Sequence, residues 1–243
     1  SAKNKKRKRG FKINNKIWLN NYLDATKIKN IDLIVELIGG AEGPAKKLVF
    51  SALKNKKHVV TANKALIAKY GDQLSKIAEK NRVNLEFEAS VCGGVPIIRS
   101  LKESLIANKI SKVFGIFNGT SNYILSSMDK ENKSFKEVLQ NAKELGFAES
   151  NPTSDLDGED VASKLKILSS LCFSSFLNKN VHVEGIKDID KDDINYAKRL
   201  GYKIKLLGYA ELIGKNIFQR VHPTLIKSSS YVGSIDGVLN AVI

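Results

Sequence analysis

The chain has 243 residues, 42% apolar and 27% charged, with a net charge of +15. That length buries one large core or two modest ones. No apolar run approaches the roughly 20 residues of a membrane-spanning helix and no signal-peptide pattern opens the chain, so a cytoplasmic protein without membrane attachment is expected.

The opening stretch SAKNKKRKRGFK carries seven of the positive charges and no acid. A phosphate-binding arm and a solvated loop both fit such a run, and the loop is the commoner case. IDLIVELIGG, from Ile31, is nearly continuous in apolar residues, as a strand buried on both faces would be. GPAKKLVFSALKNKK has helical spacing, HVVTANK reads as a second strand, ALIAKYGDQLSKIAEKNR as a second helix and VNLEFEAS as a third strand. This alternation predicts parallel βαβ units with right-handed crossovers, whose ligands sit beyond the carboxyl ends of the strands. Ile38 to Gly40, Asn63, Lys64 and Glu88 to Gly94 fall on that rim. The GxGxxG turn that holds a dinucleotide pyrophosphate does not occur. Either the fold is not a nucleotide binder or the chain, which begins with Ser1, is a piece whose first βα unit lies upstream.

After Gly94 the pattern changes. GVPIIRSLKESLIANK reads as an amphipathic helix with Pro96 in its first turn. KISKVFGIFNGTSNYIL reads as a strand breaking at Asn118-Gly119 into a helix capped by Thr120 or Ser121. SFKEVLQNAKELG is a helix closed by Gly146, and DGEDVASKLKILSSLCF a longer one. VHVEGI, YKIKLLGYAEL, NIFQRVHPTLI and SYVGSIDGVLNAVI are β-rich, with a helix over DKDDINYAKRLG, and the last three predict an antiparallel set that covers the helices. Cys92 and Cys172 are far apart with no histidine at ligand spacing, so buried free thiols are expected and not a zinc site or a disulfide. His58, His182 and His222 are scattered among β-type residues, where packing is their plainer role.

ESNPTSDLDGEDVASK concentrates carboxylates before one lysine. A calcium loop fails, because placing Gly158 at its sixth position puts Lys164 where a bidentate glutamate is required. For Asp155, Asp157 and Glu159 a favourable interaction with the positive end of a helix is an adequate account. Asp160 and Lys164 are four apart, so they share a helix face beside Val161, Leu165 and Leu168. A half-buried lysine there has a tunable pKa and suits proton transfer in carbonyl or alcohol chemistry.

VELIGG, HVVTANKAL, FEASVCGGVPIIRSL, GIFNGTSNYIL, ELGFAESNPTSDLDGEDVASKLKIL, VEGI and RVHPTLI, in this order, closely resemble homoserine dehydrogenase over nearly the whole chain. The resemblance implies an NADH- or NADPH-dependent oxidoreductase that reduces L-aspartate 4-semialdehyde to L-homoserine for threonine, methionine and isoleucine biosynthesis. It implies Lys164 as proton donor, with Asp160 and Lys64 also catalytic, and Glu149, Asp155 and Asp160 holding the substrate. Lys3, Ile38, Gly39, Lys64 and Gly146 match cofactor positions. Glu88, Val91, Gly93 and Val95 match a loop that holds a monovalent cation such as sodium. The expected fold is α/β: a partial Rossmann-like parallel sheet over residues 1–92, then a mixed α/β substrate-binding and dimerisation domain over 93–243. The chain reads as a fragment lacking the family's glycine-rich unit and its C-terminal end, and by itself it is expected to be inactive. A homodimer and a preference for NADPH are expected, the latter from Lys3 and KKRKR. The competing readings are a basic phosphate- or nucleic-acid-binding module, disfavoured because the run lacks a pattern of aromatic residues alternating with the cations and any recognised binding motif, and a dehydrogenase of another semialdehyde.

Overall fold

The computed structural model describes residues 4, 5, 8, 10, 14, 17–173 and 181–243, so Lys3 and much of the basic opening run lie outside the described residues. The chain divides into two compact units, Ser1–Ser90 and Val91–Ile243.

In the first unit β1 (Leu33–Glu36), β2 (His58–Thr61) and β3 (Leu85–Glu86) form a parallel sheet in the order β1-β2-β3. The crossovers are α1 (Pro44–Lys54) and α2 (Lys64–Asn81). Pro44 opens α1 with a preset φ, and Ala45, Leu48, Val49, Ala52 and Leu53 recur at the spacing of one buried stripe. On α2, Leu66, Ile67, Gly71, Leu74 and Ala78 do the same. Two right-handed crossovers stepping the same way across adjacent strands place both helices on one face. The continuous apolar run of β1 is therefore not buried on both faces as its composition suggests. Ile34 and Glu36 are buried, whereas Leu33 and Val35 are 48% and 57% exposed.

The second unit holds a five-stranded sheet in the order β5-β7-β6-β4-β8, built from β4 (Lys112–Ile116), β5 (His182–Val183), β6 (Tyr202–Ile213), β7 (Asn216–Lys227) and β8 (Ala241–Val242). β6 and β7 pair along their whole length through a two-residue turn begun by Gly214 at φ 61°. Among the described residues of this sheet, β5 and β7 alone run parallel. The long helix α7 (Glu159–Phe173) buries Val161, Leu165 and Leu168, and the Ser169 hydroxyl on α7 donates to the Gln219 side-chain oxygen on β7 (2.8 Å). Before it come α3 (Ile97–Arg99), α4 (Gly119–Glu131), α5 (Phe135–Glu144) and α6 (Thr153–Leu156), and after it α8 (Lys191–Arg199) and α9 (Tyr231–Ser234).

Two expectations for this unit change. The helix expected over GVPIIRSLKESLIANK is α3 plus one π-helical turn, Ser100–Ser104. Beyond it Leu105 and Ile106 are 38% and 75% exposed, so the apolar spacing continues without a surface to bury it. SYVGSIDGVLNAVI forms α9, a loop and the short β8 in place of a long strand, because Asp236 turns inward to Lys205. Lys205, on β6, is 1% exposed. Its Nζ donates to Asn122 Oδ1 (2.9 Å), Ser126 Oγ (3.2 Å), the Ile235 carbonyl (2.6 Å) and Asp236 Oδ1 (2.9 Å). Burial lowers the Lys205 amine, and its bond to Asp236 offsets part of that effect. Burial by itself would raise the Asp236 carboxyl, but hydrogen bonds from Lys205 and Lys203 outweigh it and hold the group well below the carboxylate range.

Candidate active site

β4 ends at Ile116, and Phe117 and Asn118 carry the chain into α4. Phe117 is fully buried because two glycines make room for its ring: a Cβ on Gly208 would lie 2.6 Å from the ring and one on Gly115 2.8 Å. Its carbonyl accepts from Lys164 Nζ at 2.6 Å. Asn118 caps α4, its Oδ1 accepting the Ser121 N–H at 2.8 Å, so the cap is the residue before the glycine and not Thr120 or Ser121 as expected. The Asn118 amide donates to Asp155 Oδ1 (2.7 Å) and to Asp160 Oδ2 (2.8 Å).

α6 and α7 bring the acids to this point. Gly158, at φ 82°, separates the two helices, and a Cβ there would sit 3.1 Å from Val183 and from Val221, so the acidic turn presses closely on the sheet. The Ser121 hydroxyl donates to the Asp155 carbonyl (2.8 Å), fastening α6 to α4. One turn into α7, Lys164 pairs with Asp160 at 2.8 Å, with side-chain exposures of 14% and 4%. The i, i+4 pair expected from the spacing is therefore present, and its lysine is half-buried. Asp157 instead pairs with Lys187, and Glu159 is exposed, which suits a structural part for both. Cys92 lies close enough to feel both charged partners: burial pushes its thiol up to about 11, opposed by the charge of Lys164 and reinforced by that of Asp160. Such a thiol is not a nucleophile at neutral pH. Burial also raises Cys172 to about 11, although Cys172 is only partly buried.

The other expected residues are more dispersed. Glu149 is exposed, on the segment that follows α5; that segment is tied to α4 by the Thr120 hydroxyl, which donates to the Phe147 carbonyl (2.7 Å), and by the Tyr123 and Phe147 rings, 4.9 Å apart. Gly146 begins the segment at φ 76°. In the turn Val91–Val95, the Val95 N–H donates to the Cys92 carbonyl (2.9 Å), and the Val95 carbonyl accepts from Ile97 N (2.8 Å). Glu88 lies in a 3-10 turn that closes the first unit. Among the described residues no cluster of three or more His, Cys, Asp or Glu side chains is placed to hold a metal ion.

At the carboxyl rim of the first sheet, Glu36 is fully buried. Its Oε1 accepts the backbone N–H groups of Ile38 (2.6 Å) and Gly39 (3.0 Å), and its Oε2 accepts from the Thr61 hydroxyl (2.6 Å). The Thr61 oxygen accepts Asn63 N (3.0 Å), Asn63 Oδ1 caps α2 at Leu66 N (3.1 Å), and Lys64 is the first residue of that helix. Glu36, Asn118 and the Phe117 carbonyl were not anticipated. An asparagine before Gly-Thr-Ser at a strand-to-helix break is a cap signal, and a lone acid in an apolar strand signals a buried, hydrogen-bonded carboxylate.

A family model described as homoserine dehydrogenase matches residues 96–243, and one described as homoserine dehydrogenase, NAD binding domain, matches residues 3–88. The chain belongs to the homoserine dehydrogenase family. A curated homoserine dehydrogenase from Neisseria gonorrhoeae is 49% identical over 215 residues, 88% of this chain and 49% of that protein. The crystal structure of a homoserine dehydrogenase from Thiobacillus denitrificans superposes with a TM-score of 0.88 at 47% identity, covering 92% of this chain and 52% of that one. A hyperthermophilic archaeal homoserine dehydrogenase in complex with NADPH superposes with a TM-score of 0.79 at 26% identity, over 93% of this chain and 65% of that one. The chain spans about half the length of the curated relatives it matches. Both units of this homoserine dehydrogenase family member are thus matched, the α/β class is as expected, and the Asp155–Asp160–Lys164 cluster falls inside the larger family match.

Proposed function

We propose that this chain is part of an enzyme that reduces L-aspartate 4-semialdehyde to L-homoserine with NADH or NADPH, in threonine, methionine and isoleucine biosynthesis. The observation that carries the reading is the Lys164 ammonium, only 14% exposed, held by Asp160 and by the Phe117 carbonyl beside a second acid, Asp155. A small zwitterionic substrate needs carboxylates for its own ammonium, and an aldehyde becoming an alkoxide needs a cation that can release a proton. Asp155, Asp160 and the exposed Glu149 supply the carboxylates, and Lys164 the proton to the carbonyl oxygen. As that proton leaves, Asp160 and the Phe117 carbonyl hold the nitrogen in place. Lys64 is assigned a second pocket role, near the substrate carboxylate.

The first unit, expected over residues 1–92, is proposed to bind the nicotinamide cofactor, which supplies a hydride when bound. The rim residues suit only part of such a molecule. Ile38 is 51% exposed and offers apolar surface, and Gly39 adds no side chain, but both backbone N–H groups are committed to Glu36 and are closed to a phosphate. From the family resemblance, Ile38, Gly39, Lys64 and Gly146 are assigned to the nicotinamide half. The NADPH preference rests on Lys3 and the cations after it, and the NADPH complex of the archaeal relative is consistent with it. A monovalent cation at Glu88, Val91, Gly93 and Val95 is retained as a proposal because backbone carbonyls are suitable ligands for a hard ion. The Val95 carbonyl already has a protein partner, which argues for weak binding. Comparing activity in sodium, potassium and tetramethylammonium buffers tests it. A cytoplasmic homodimer completes the reading, with residues 93–243 as the substrate and dimerisation part. Assay of the protein produced from its complete reading frame, with L-homoserine and either nicotinamide, tests the function: homoserine-dependent reduction of the cofactor is expected, and turnover of a different hydroxy acid alone would replace it.

A further inference from the structure

We propose that Asn118 is a positioning residue for the reaction: one amide nitrogen, with one N–H directed to Asp155 and the other to Asp160, sets the spacing and orientation of both carboxylates against Lys164. The inference rests on the functional reading above and adds a residue to it.

The geometry leaves the amide no other arrangement. Asn118 is 5% exposed. Its Oδ1 accepts the Ser121 N–H (2.8 Å), while its nitrogen lies 2.7 Å from Asp155 Oδ1 and 2.8 Å from Asp160 Oδ2. Rotating the amide by half a turn would set an NH₂ group against the Ser121 N–H and an oxygen against two carboxylate oxygens, losing all three bonds. A primary amide has two N–H donors, and here each meets a different acid. Asp160 Oδ2 also accepts Lys164 Nζ, so one oxygen is shared by Asn118 and the lysine. The chain from the α4 cap to the reacting amine is thus Ser121 N–H, Asn118, Asp160, Lys164. Each link is a short bond, and Asn118 and Asp160 are buried. One amide nitrogen shared between the two carboxylates fixes the position of both against the lysine.

Capping and positioning make opposite demands on substitutions. For an N-cap, Asn, Asp and Ser are nearly equivalent. For positioning, Ser retains at most one donor, and Asp replaces both donors with a third negative charge. The test is kcat and KM for homoserine oxidation, with thermal midpoints, for N118S and N118D in the protein produced from its complete reading frame. The expected order of kcat is Asn, then Ser, then Asp, with Ser lower by about tenfold to a hundredfold. N118S is expected to keep a melting temperature near that of the parent, so it decides the matter even if N118D folds poorly. Equal kcat for all three would reduce Asn118 to a cap and overturn the inference while leaving the function intact. A parent protein inert toward homoserine would overturn the functional reading and this inference with it.

Discussion

At the scale of single residues, Lys164 is held by one partner from its own helix, Asp160, and by one from outside it, the Phe117 carbonyl. The spacing of Asp160 and Lys164 on an apolar helix fixes a shared face, and helix geometry alone brings them to 2.8 Å. Asn118 and the Phe117 carbonyl reach the same point from a different element, and no local pattern encodes that meeting. Gly208 illustrates how indirect the support is. It lies on β6, remote in sequence, yet its missing side chain admits the Phe117 ring whose backbone carbonyl holds Lys164. Gly208→Ala is expected to lower stability by about 1–3 kcal/mol through overpacking, and to lower kcat by displacing that carbonyl. Thermal melting with steady-state kinetics checks this; an unaltered kcat at reduced stability would separate the ring's packing from the position of the lysine. Glu149, exposed and without a bond to the cluster, should act on substrate affinity: Glu149→Gln is expected to raise KM for homoserine more than it lowers kcat.

At the scale of elements, helices with capped starts were read well and strands less well. α5 and α8 are capped by Ser134 and Asp190, each in a capping box visible as an acid three residues on. The apolar run of β1 gave no hint of its open face, because which face is buried depends on where α1 and α2 lie. The loop after α9 was misread for a related reason: Asp236 serves the buried Lys205, and that contact joins β6, α4 and the chain beyond α9. The two partners should not respond alike. Asp236→Asn leaves a buried ammonium without its counter-charge and is expected to lower stability toward the lower end of about 3–5 kcal/mol, since the Asp236 side chain is 17% exposed. Lys205→Met leaves Asp236 paired with Lys203 and Lys130 and is expected to cost less than about 2 kcal/mol. Because the folded pKa of Asp236 is depressed, its contribution is complete above the ordinary carboxyl value of 3.8 and is lost as the pH falls through that value and below. Denaturant melts from pH 6 to pH 2 should therefore show a shallower acid dependence for Asp236→Asn than for the parent.

At the scale of the molecule, the family and the α/β class were legible from ordered motifs, and the two units correspond to a parallel βαβ region and a mixed-sheet region. The dimer expected from the late strands has a candidate surface in the sheet face away from α7. There Phe114 and Tyr209 lie 6.3 Å apart, the Arg220 guanidinium sits 4.7 Å over the Tyr209 ring, and Phe218 is 55% exposed. Light scattering at micromolar concentration is expected to give twice the monomer mass, and a Phe218→Glu variant to shift it toward monomer. For the 243-residue chain itself, weak NADPH binding is expected, because it has no GxGxxG turn and Glu36 closes the Ile38 and Gly39 amides. Calorimetric titration showing affinity equal to that of the protein from its complete reading frame would contradict this.

The proposed proton donor, Lys164, is tested by kcat of Lys164→Arg in the protein from its complete reading frame. Arginine keeps a cation for Asp160 and so preserves the buried pair, but it does not release a proton near neutral pH. The expected result is a fold that melts near the parent temperature with kcat lower by about 10²–10⁴, the usual worth of a positioned acid. Turnover close to that of the parent would show that only the charge at this position matters, and would remove Lys164 as the proton donor.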